Sequence, residues 1–270
     1  MNNKISVIMS LYKNDTPEYA TAAIESLLSQ DVYCDVLIYR DGKVSDALQA
    51  VLDGYSENTR CKIFEFDENK GLATALNYLI ERCLEGGYKF IARMDSDDIS
   101  HPDRLLKQMN YMKTCSDIDV LGTSCHEFGA NFALDQKHLP LCHNDLLKFS
   151  IIRCPFIHPS VMFRRKVFEK GFRYPVDTTL TEDMALWFYL LHNGFRFANI
   201  KDVLLDYRLD EDTVHRRKGF SKALSEIKLR SKYMWMLKQT SIRNILLIYS
   251  RIVFHLMPAH LLRIAYKWAR

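Results

Sequence analysis

YKFIARMDSDD, residues 88–98, is the stretch on which the fold turns. Seven residues of β-rich, mostly apolar sequence (YKFIARM, 88–94) run straight into Asp95, Ser96, Asp97 and Asp98. A short apolar run bounded by polar residues reads as a buried strand. Three carboxylates packed into four positions repel one another unless a cation or a set of donors neutralises them. Hard oxygen ligands of this kind select Mg²⁺ or Mn²⁺, which usually complete their shell with phosphate oxygens.

The flanking sequence alternates the same strand pattern with helices. KISVIMS (4–10), CDVLIYR (34–40), CKIFEF (61–66), DVLGTS (119–124) and VLLDYR (203–208) are further expected strands. Helices are expected from Thr16-Pro17-Glu18, over Ser45 to Tyr55, over Leu72 to Leu84, from Pro102, and over Thr181–Asn193, where Asn193-Gly194 is a stop. Residues 127–173 break the pattern, with Pro140, Pro155 and Pro159 suggesting loops and short mixed strands. The implied class is α/β: a mostly parallel sheet flanked by helices, with a helical extension at the C-terminus.

In such a sheet, ligands bind beyond the carboxyl ends of the strands. Polar residues recur there: Tyr12 to Asp15, Asp41-Gly42, Asp67 to Gly71, and Asp95 to Asp98. Each alone is an ordinary polar loop, because Asp and Gly favour turns. No G-x-G-x-x-G follows the first strand and no Walker A sequence occurs, which argues against a dinucleotide fold and a P-loop NTPase.

The 270 residues are 48% hydrophobic and 26% charged, which excludes disorder and fibrous folds. Seven cysteines with no C-x-x-C pair argue against a disulfide framework and a structural zinc site, so a reducing compartment is expected. The N-terminus lacks the h-region of a signal peptide. Residues 227–270 carry nine Lys and Arg and no acid, so the chain's net +4 resides in this tail and the remainder is net acidic. Within the tail, SIRNILLIYSRIVFHLM (241–257) is strongly apolar, but its uninterrupted runs are too short to span a bilayer. A helix packed on the domain, an oligomer contact and an interfacial membrane helix compete here. The uncompensated charge favours the membrane surface, and nucleic acid is not expected, since no recognised motif accompanies the charge.

Taken in order, SVIMSLYKND, YRDG, ENKGLATALNYLI, ARMDSDD and TEDMALWFYLL resemble the inverting family-2 glycosyltransferases of GT-A fold, within which the chain looks most like bacterial enzymes building O-antigen and other surface polysaccharides. The resemblance implies a GT-A (Rossmann-like) catalytic domain over residues 1–218, with a donor half to about 125 and an acceptor half from 126, and a basic extension over 219–270. It implies transfer of one hexose from a UDP-sugar, UDP-galactose or UDP-glucose, to an undecaprenyl-diphosphate-linked saccharide. The enzyme would sit in the cytoplasm, peripheral on the inner face of the membrane and held by residues 241–270. Carried over residue by residue, Asp41 would receive the uracil. Asn69, Lys70 and Gly71 would edge the donor pocket, and Arg93 would pair with a carboxylate or a donor phosphate. Asp95 and Asp97 would serve the donor and a Mn²⁺ or Mg²⁺ ion, with Asp98, Asp210 and His215 as candidate further ligands. Glu182 and Asp183 would form the acceptor-side acid pair, Asp183 being the catalytic base. His158 is a candidate to approach the site, and Trp187 is expected in the core or a pocket wall. A nucleotidyltransferase and an inactive membrane-docked nucleotide-sugar-binding protein are the alternatives.

Overall fold

The computed structural model describes residues 4–178, 181–210 and 220–256. Its centre is an eight-stranded sheet in the order β3-β2-β1-β4-β7-β6-β8-β5. The strands are β1 (Ile5–Tyr12), β2 (Cys34–Asp41), β3 (Cys61–Phe66), β4 (Phe90–Arg93), β5 (Ile99–Ser100), β6 (Val120–Phe128), β7 (Met162–Arg164) and β8 (Phe197–Arg208). Between them lie α1 (Pro17–Leu28), α2 (Asp46–Gly54), α3 (Leu72–Glu85), α4 (Arg104–Thr114), α5 (His143–Ser150), α6 (Arg165–Glu169) and α7 (Glu182–His192). Helices α8 (Phe220–Met236) and α9 (Ile242–Leu256) follow β8.

Alternation along β1 shows how both faces are filled. Val7, Met9 and Leu11 join one core with Ile24 and Leu27 of α1, Leu48 of α2 and Leu105 and Met109 of α4. Ile8 points the other way, into a second core with Leu76 and Leu79 of α3, Phe168 of α6 and Trp187 and Leu190 of α7. A period of two along the strand therefore divides the apolar residues between two helical layers.

β1 pairs in parallel with β2 and β4, and β2 pairs in parallel with β3. The expected parallel run then ends. β7 lies between β4 and β6, antiparallel to both, so the strand over 119–124 is not a direct neighbour of β4. A strand of three residues carries too little periodicity to be seen in sequence, yet it sets the mixed character of the sheet. Two antiparallel steps restore the original direction, so β6 and its parallel partner β8 run with β1 to β4. Their carboxyl ends consequently share one edge. β5 is a two-residue strand paired antiparallel to β8, which closes the acidic turn after β4 against the end of β8.

Helix starts depart from expectation in two places. α4 begins at Arg104 rather than Pro102, and the side chain of Thr181 makes no capping bond at the start of α7. Ser45 does cap α2, its side chain accepting from the Leu48 amide at 3.3 Å. The inner sides of α8 and α9 form a third apolar cluster, in which Ile227, Tyr233, Met234 and Ile248 pack with Met184 and Phe188 of α7 and Ile151. No helix among the described residues is long and apolar enough to cross a membrane.

Candidate active site

The turn joining β4 to β5 brings Asp95, Asp97 and Asp98 together, with one carboxylate oxygen of each within 4.8 Å of the others. The three are not equivalent. Asp98 is fully buried; its Oδ1 accepts from the Arg208 amide at 2.8 Å and its Oδ2 has no partner. Burial and the charges of Asp95 and Asp97 hold its carboxyl well above the usual range. Asp95 is ion-paired with the buried Arg93 guanidinium, whose Nε and Nη1 are otherwise unpartnered. Asp97 is pushed up to about 6, first by burial and then by Asp95. Asp210 is exposed beyond the end of β8, and His215 lies outside the described residues.

A fourth acid, Asp15, belongs to the same setting and was not legible as a site residue in sequence. Its Oδ2 accepts from the Tyr12 amide at 2.7 Å. Burial, opposed by that bond and by one from Ser96, and reinforced by Asp97 and Asp95, raises its carboxyl to about 7. Four acids at one edge, three of them held above their ordinary range, form a site deficient in positive charge. This donor set fits a divalent cation: Asp95 and Asp97 are half-buried and offer oxygens, while Asp98 anchors the turn.

Arginines fix this turn from below and beside it. Arg104, fully buried, donates from Nη2 to the Arg93 carbonyl at 3.1 Å and from Nη1 to the Pro159 carbonyl at 3.0 Å. Burial lowers its guanidinium to about 10, and it remains charged at neutral pH. Arg208 donates from Nε to the Asp97 carbonyl at 2.9 Å, with its guanidinium 3.7 Å from the centre of the Tyr19 ring and 4.4 Å from that of Phe128.

Beside the turn, Asp41 holds the start of α3. Its Oδ1 accepts from the Lys70 amide at 2.7 Å and its Oδ2 from the Gly71 amide at 2.9 Å, while Asn69 Nδ2 donates to the Asp41 carbonyl at 3.0 Å. The carboxylate is thus first an anion at a helix N-terminus, though each oxygen keeps a second lone pair. Gly71 has φ +84°, a left-handed conformation that other residues rarely adopt. A Cβ on Gly42 (φ +88°) would also approach the Asn69 Cβ to 3.1 Å. A cavity of about 320 Å³ opens here, lined by Tyr12, Lys13, Asp41, Gly42, Lys43, Asp67 and Asn69. Lys70 and Gly71 present their amides to Asp41 and are not part of this lining.

The second acidic centre lies at the start of α7. Asp183 Oδ1 accepts from the Met184 amide at 2.7 Å, and the Cys154 thiol reaches Asp183 Oδ2 at 3.6 Å. Burial, then the Asp183 charge, pushes that thiol far up, so it stays protonated as a donor. Near the second centre the half-buried His158 meets the buried Tyr174, its Nε2 2.9 Å from the Tyr174 hydroxyl. The Tyr174 hydroxyl lies within electrostatic reach of both acidic groups, feeling the charges of Arg93, Asp183, Glu182 and Asp95. Burial, aided by Arg93, depresses His158 well below its usual value and keeps it neutral. Trp187 is fully buried, packed against Phe156, Phe163, Phe197 and His158, and is a core residue.

The C-terminal helices reach this centre through a clamp. Arg230 of α8, 2% exposed, donates from Nη1 to the Ser150 and Ile151 carbonyls, both at 2.9 Å. Arg251 of α9 donates to Glu226 at 2.7 Å and to the Ile152 carbonyl at 2.8 Å. The clamped turn leads directly to Cys154. Burial lowers the Arg230 guanidinium to about 10, so it too stays charged near neutral pH.

A cluster of carboxylates at the carboxyl edge of the sheet and a second acid pair, both within electrostatic reach of the buried Tyr174, are suited to group transfer from a phosphorylated donor. Residues 6–172 match the family model "Glycosyl transferase family 2", and the chain belongs to that family of enzymes. This membership sets aside the nucleotidyltransferase alternative. The chain is 36% identical over 266 residues to the amylovoran biosynthesis glycosyltransferase AmsE of Erwinia amylovora, covering 97% of each. It is 34% identical over 271 residues to an Escherichia coli UDP-Gal:alpha-D-GlcNAc-diphosphoundecaprenol beta-1,3-galactosyltransferase, covering 98% of this chain and 95% of the relative. Among solved structures it resembles residues 1–349 of TarS from S. aureus in complex with UDP-GlcNAc (TM-score 0.68, 16% identity), covering 93% of this chain and 72% of that one. It also resembles the mannosyltransferase PcManGT of Pyrobaculum calidifontis bound to GDP-Man and Mn²⁺ (TM-score 0.63, 16% identity), covering 98% and 74%. These likenesses establish the GT-A fold expected from sequence.

Proposed function

We propose that this chain is a metal-dependent inverting glycosyltransferase that moves one hexose, galactose or glucose, from a UDP-sugar to an undecaprenyl-diphosphate-linked saccharide in bacterial surface-polysaccharide synthesis. The convergence of two acidic centres on the buried Tyr174, whose hydroxyl feels charges from both, carries this reading. The galactosyltransferase relative, named for a lipid-linked acceptor, and the UDP-GlcNAc complex of TarS support the choice of acceptor and donor class. The enzyme works at the cytoplasmic face of the membrane, held there through residues 241–270.

In this reading the uridine occupies the cavity beside Asp41 and Asn69, with Lys13 and Lys43 at its rim. Asp95 and Asp97 would hold a Mg²⁺ or Mn²⁺ ion, which would supply positive charge to the departing diphosphate. Arg93 fixes the Asp95 carboxylate, and Arg208 and Asp98 fix the turn. Asp183 takes the proton of the acceptor hydroxyl while that oxygen bonds to the anomeric carbon. The bond from that carbon to the phosphate oxygen breaks, UDP leaves with the electron pair, and the configuration inverts. Glu182 lies beside Asp183 on the acceptor side.

A screen of nucleotide sugars for UDP release, run with Mn²⁺ or chelator and with or without a diphospholipid-linked saccharide, tests the reading. Release from a UDP-hexose that requires both metal and acceptor supports it. Release that is indifferent to chelator, or activity with an NTP and a sugar phosphate, overturns it.

A further inference from the structure

A second concave surface is lined by none of the residues assigned above to the donor, the metal or the acceptor. Lys148 of α5, Lys238 of the α8–α9 turn and Arg243 of α9 line a cleft of about 450 Å³ whose apolar wall includes Phe149 and Ile152. Asp145 is its only acidic lining residue. All three cations are exposed, and none is in an ion pair among the described residues. The turn that carries Lys238 is tightly built. The Gln239 amide bonds the Met234 carbonyl at 2.9 Å and the Lys238 amide bonds the Trp235 carbonyl at 3.1 Å. This is a Schellman ending, in which the left-handed position favours Gly. Here that position holds Lys238, with φ 55°.

Next to the cleft, α9 presents an apolar stripe outward. Ile242, Ile245, Leu246 and Tyr249 recur at helical spacing, and Ile242 is 79% exposed. Ile248, turned toward α7 and α8, is fully buried. Trp235 and Met236, just before the turn, are exposed as well. A grouped apolar surface of this kind marks an interaction site, and the unpaired cations beside it make an anionic partner the complementary one.

We propose that the cleft and the α9 stripe form one membrane-docking face. Lys148, Lys238 and Arg243 take the phosphates of anionic phospholipids while Ile242, Ile245, Leu246 and Tyr249 enter the headgroup–acyl boundary. This deepens the membrane placement proposed above by assigning a face and a lipid chemistry, and it rests on that placement.

Sedimentation of the full chain with vesicles tests it without any turnover. The wild type is expected to bind phosphatidylcholine vesicles containing phosphatidylglycerol and to bind pure phosphatidylcholine weakly. One cation near an anionic surface changes partition by about fivefold. Lys238→Gly removes a cation and the left-handed strain together, so it lowers partition about fivefold with an unchanged or higher Tm. The triple variant Lys148→Gln, Lys238→Gly, Arg243→Gln lowers it roughly a hundredfold. Ile242→Ser with Leu246→Ser weakens binding to both kinds of vesicle. Calorimetry of UDP with Mn²⁺, run on the wild type and each variant, reports the donor site separately. Equal binding to both vesicle types, or a triple variant that binds like the wild type, overturns the proposal. So does a dimer by light scattering that the stripe variant converts to monomer without changing vesicle binding, since that assigns the stripe to a second copy.

Discussion

The two acidic centres are built in different ways. Asp95, Asp97 and Asp98 sit on one four-residue turn, and the chain around them is held by backbone: the Met94 amide on Ile8, the Arg208 amide on Asp98, and the short β5 on β8. Asp183 stands at a helix start whose expected Thr cap makes no bond, and its surroundings come from distant parts of the chain. Cys154 supplies a thiol, and Arg230 and Arg251 clamp the turn before it. A metal and diphosphate site needs fixed oxygens, which strand ends provide. The acid proposed to face the acceptor is seated by the C-terminal helices, the same helices proposed to meet the membrane.

The sharpest way to separate the two centres is to disable each in turn. Asp183→Asn removes the proposed proton acceptor while preserving shape, and turnover is expected to fall by about 10³-fold. UDP–Mn²⁺ affinity by calorimetry should stay at the wild-type value. Asp97→Ala should reverse the pattern, weakening UDP–Mn²⁺ binding directly. If Asp183→Asn turns over normally, or if Asp97→Ala binds UDP–Mn²⁺ like the wild type, the division of labour is wrong.

Next in size is the clamp. Arg230→Met leaves the Ser150 and Ile151 carbonyls without their buried donor, and stability should fall by about 3 kcal/mol in urea denaturation. Loss of the turn should also unseat Cys154 and Asp183, so kcat should drop while donor affinity holds. A variant as stable and active as the wild type would make the clamp ornamental to the acceptor side.

How far each centre was legible in sequence follows from the same contrast. The DSDD turn announced itself because its chemistry is local: four consecutive residues after an apolar strand. Asp41 was visible as an acid after β2, but its bonds to Lys70 and Gly71 are made only when β2 and the start of α3 meet. Asp15 looked like any loop residue, since the acids that raise its carboxyl are some eighty positions away. Tyr174 and Arg230 carried no local signal: Tyr174 follows an irregular stretch, and Arg230 reads as one more cation in a basic tail. β7 falls in the 127–173 stretch expected to hold short mixed strands, but its brevity hid its position, so the antiparallel insertion between β4 and β6 was not placed. Trp187 fell in the core, one of the two places expected for it.

Proton linkage offers a smaller effect confined to the donor side. Asp15 and Asp97 are raised to about 7 and about 6 in the folded chain, against 3.8 for an ordinary aspartate. Between about pH 4 and 7 the folded state therefore holds protons that the unfolded state has released, and metal-free stability falls as pH rises through this window. A divalent cation offsets the repulsion only once the acids are ionised. Thermal melts should show Mn²⁺ raising Tm by about 4 °C at pH 8 and by much less at pH 5. An equal shift at both pH values would detach these carboxyls from the ion.

The smallest effect expected is at Asp41, where the donor side's reliance on backbone can be probed without touching the acidic turn. Asp41→Asn keeps the volume but turns one acceptor into a donor, so either the Lys70 or the Gly71 amide faces an N–H and the charge at the start of α3 is lost. Loss of such a cap costs about 1 kcal/mol, read as a lower denaturation midpoint at constant m. Because the cavity beside Asp41 is proposed to hold the uridine, UDP affinity should also weaken, whereas affinity for Mn²⁺ with pyrophosphate, which does not reach the base pocket, should hold. Weakening of both by the same factor would mean that α3 and the acidic turn move together, and that the donor side is no more rigidly divided than the acceptor side.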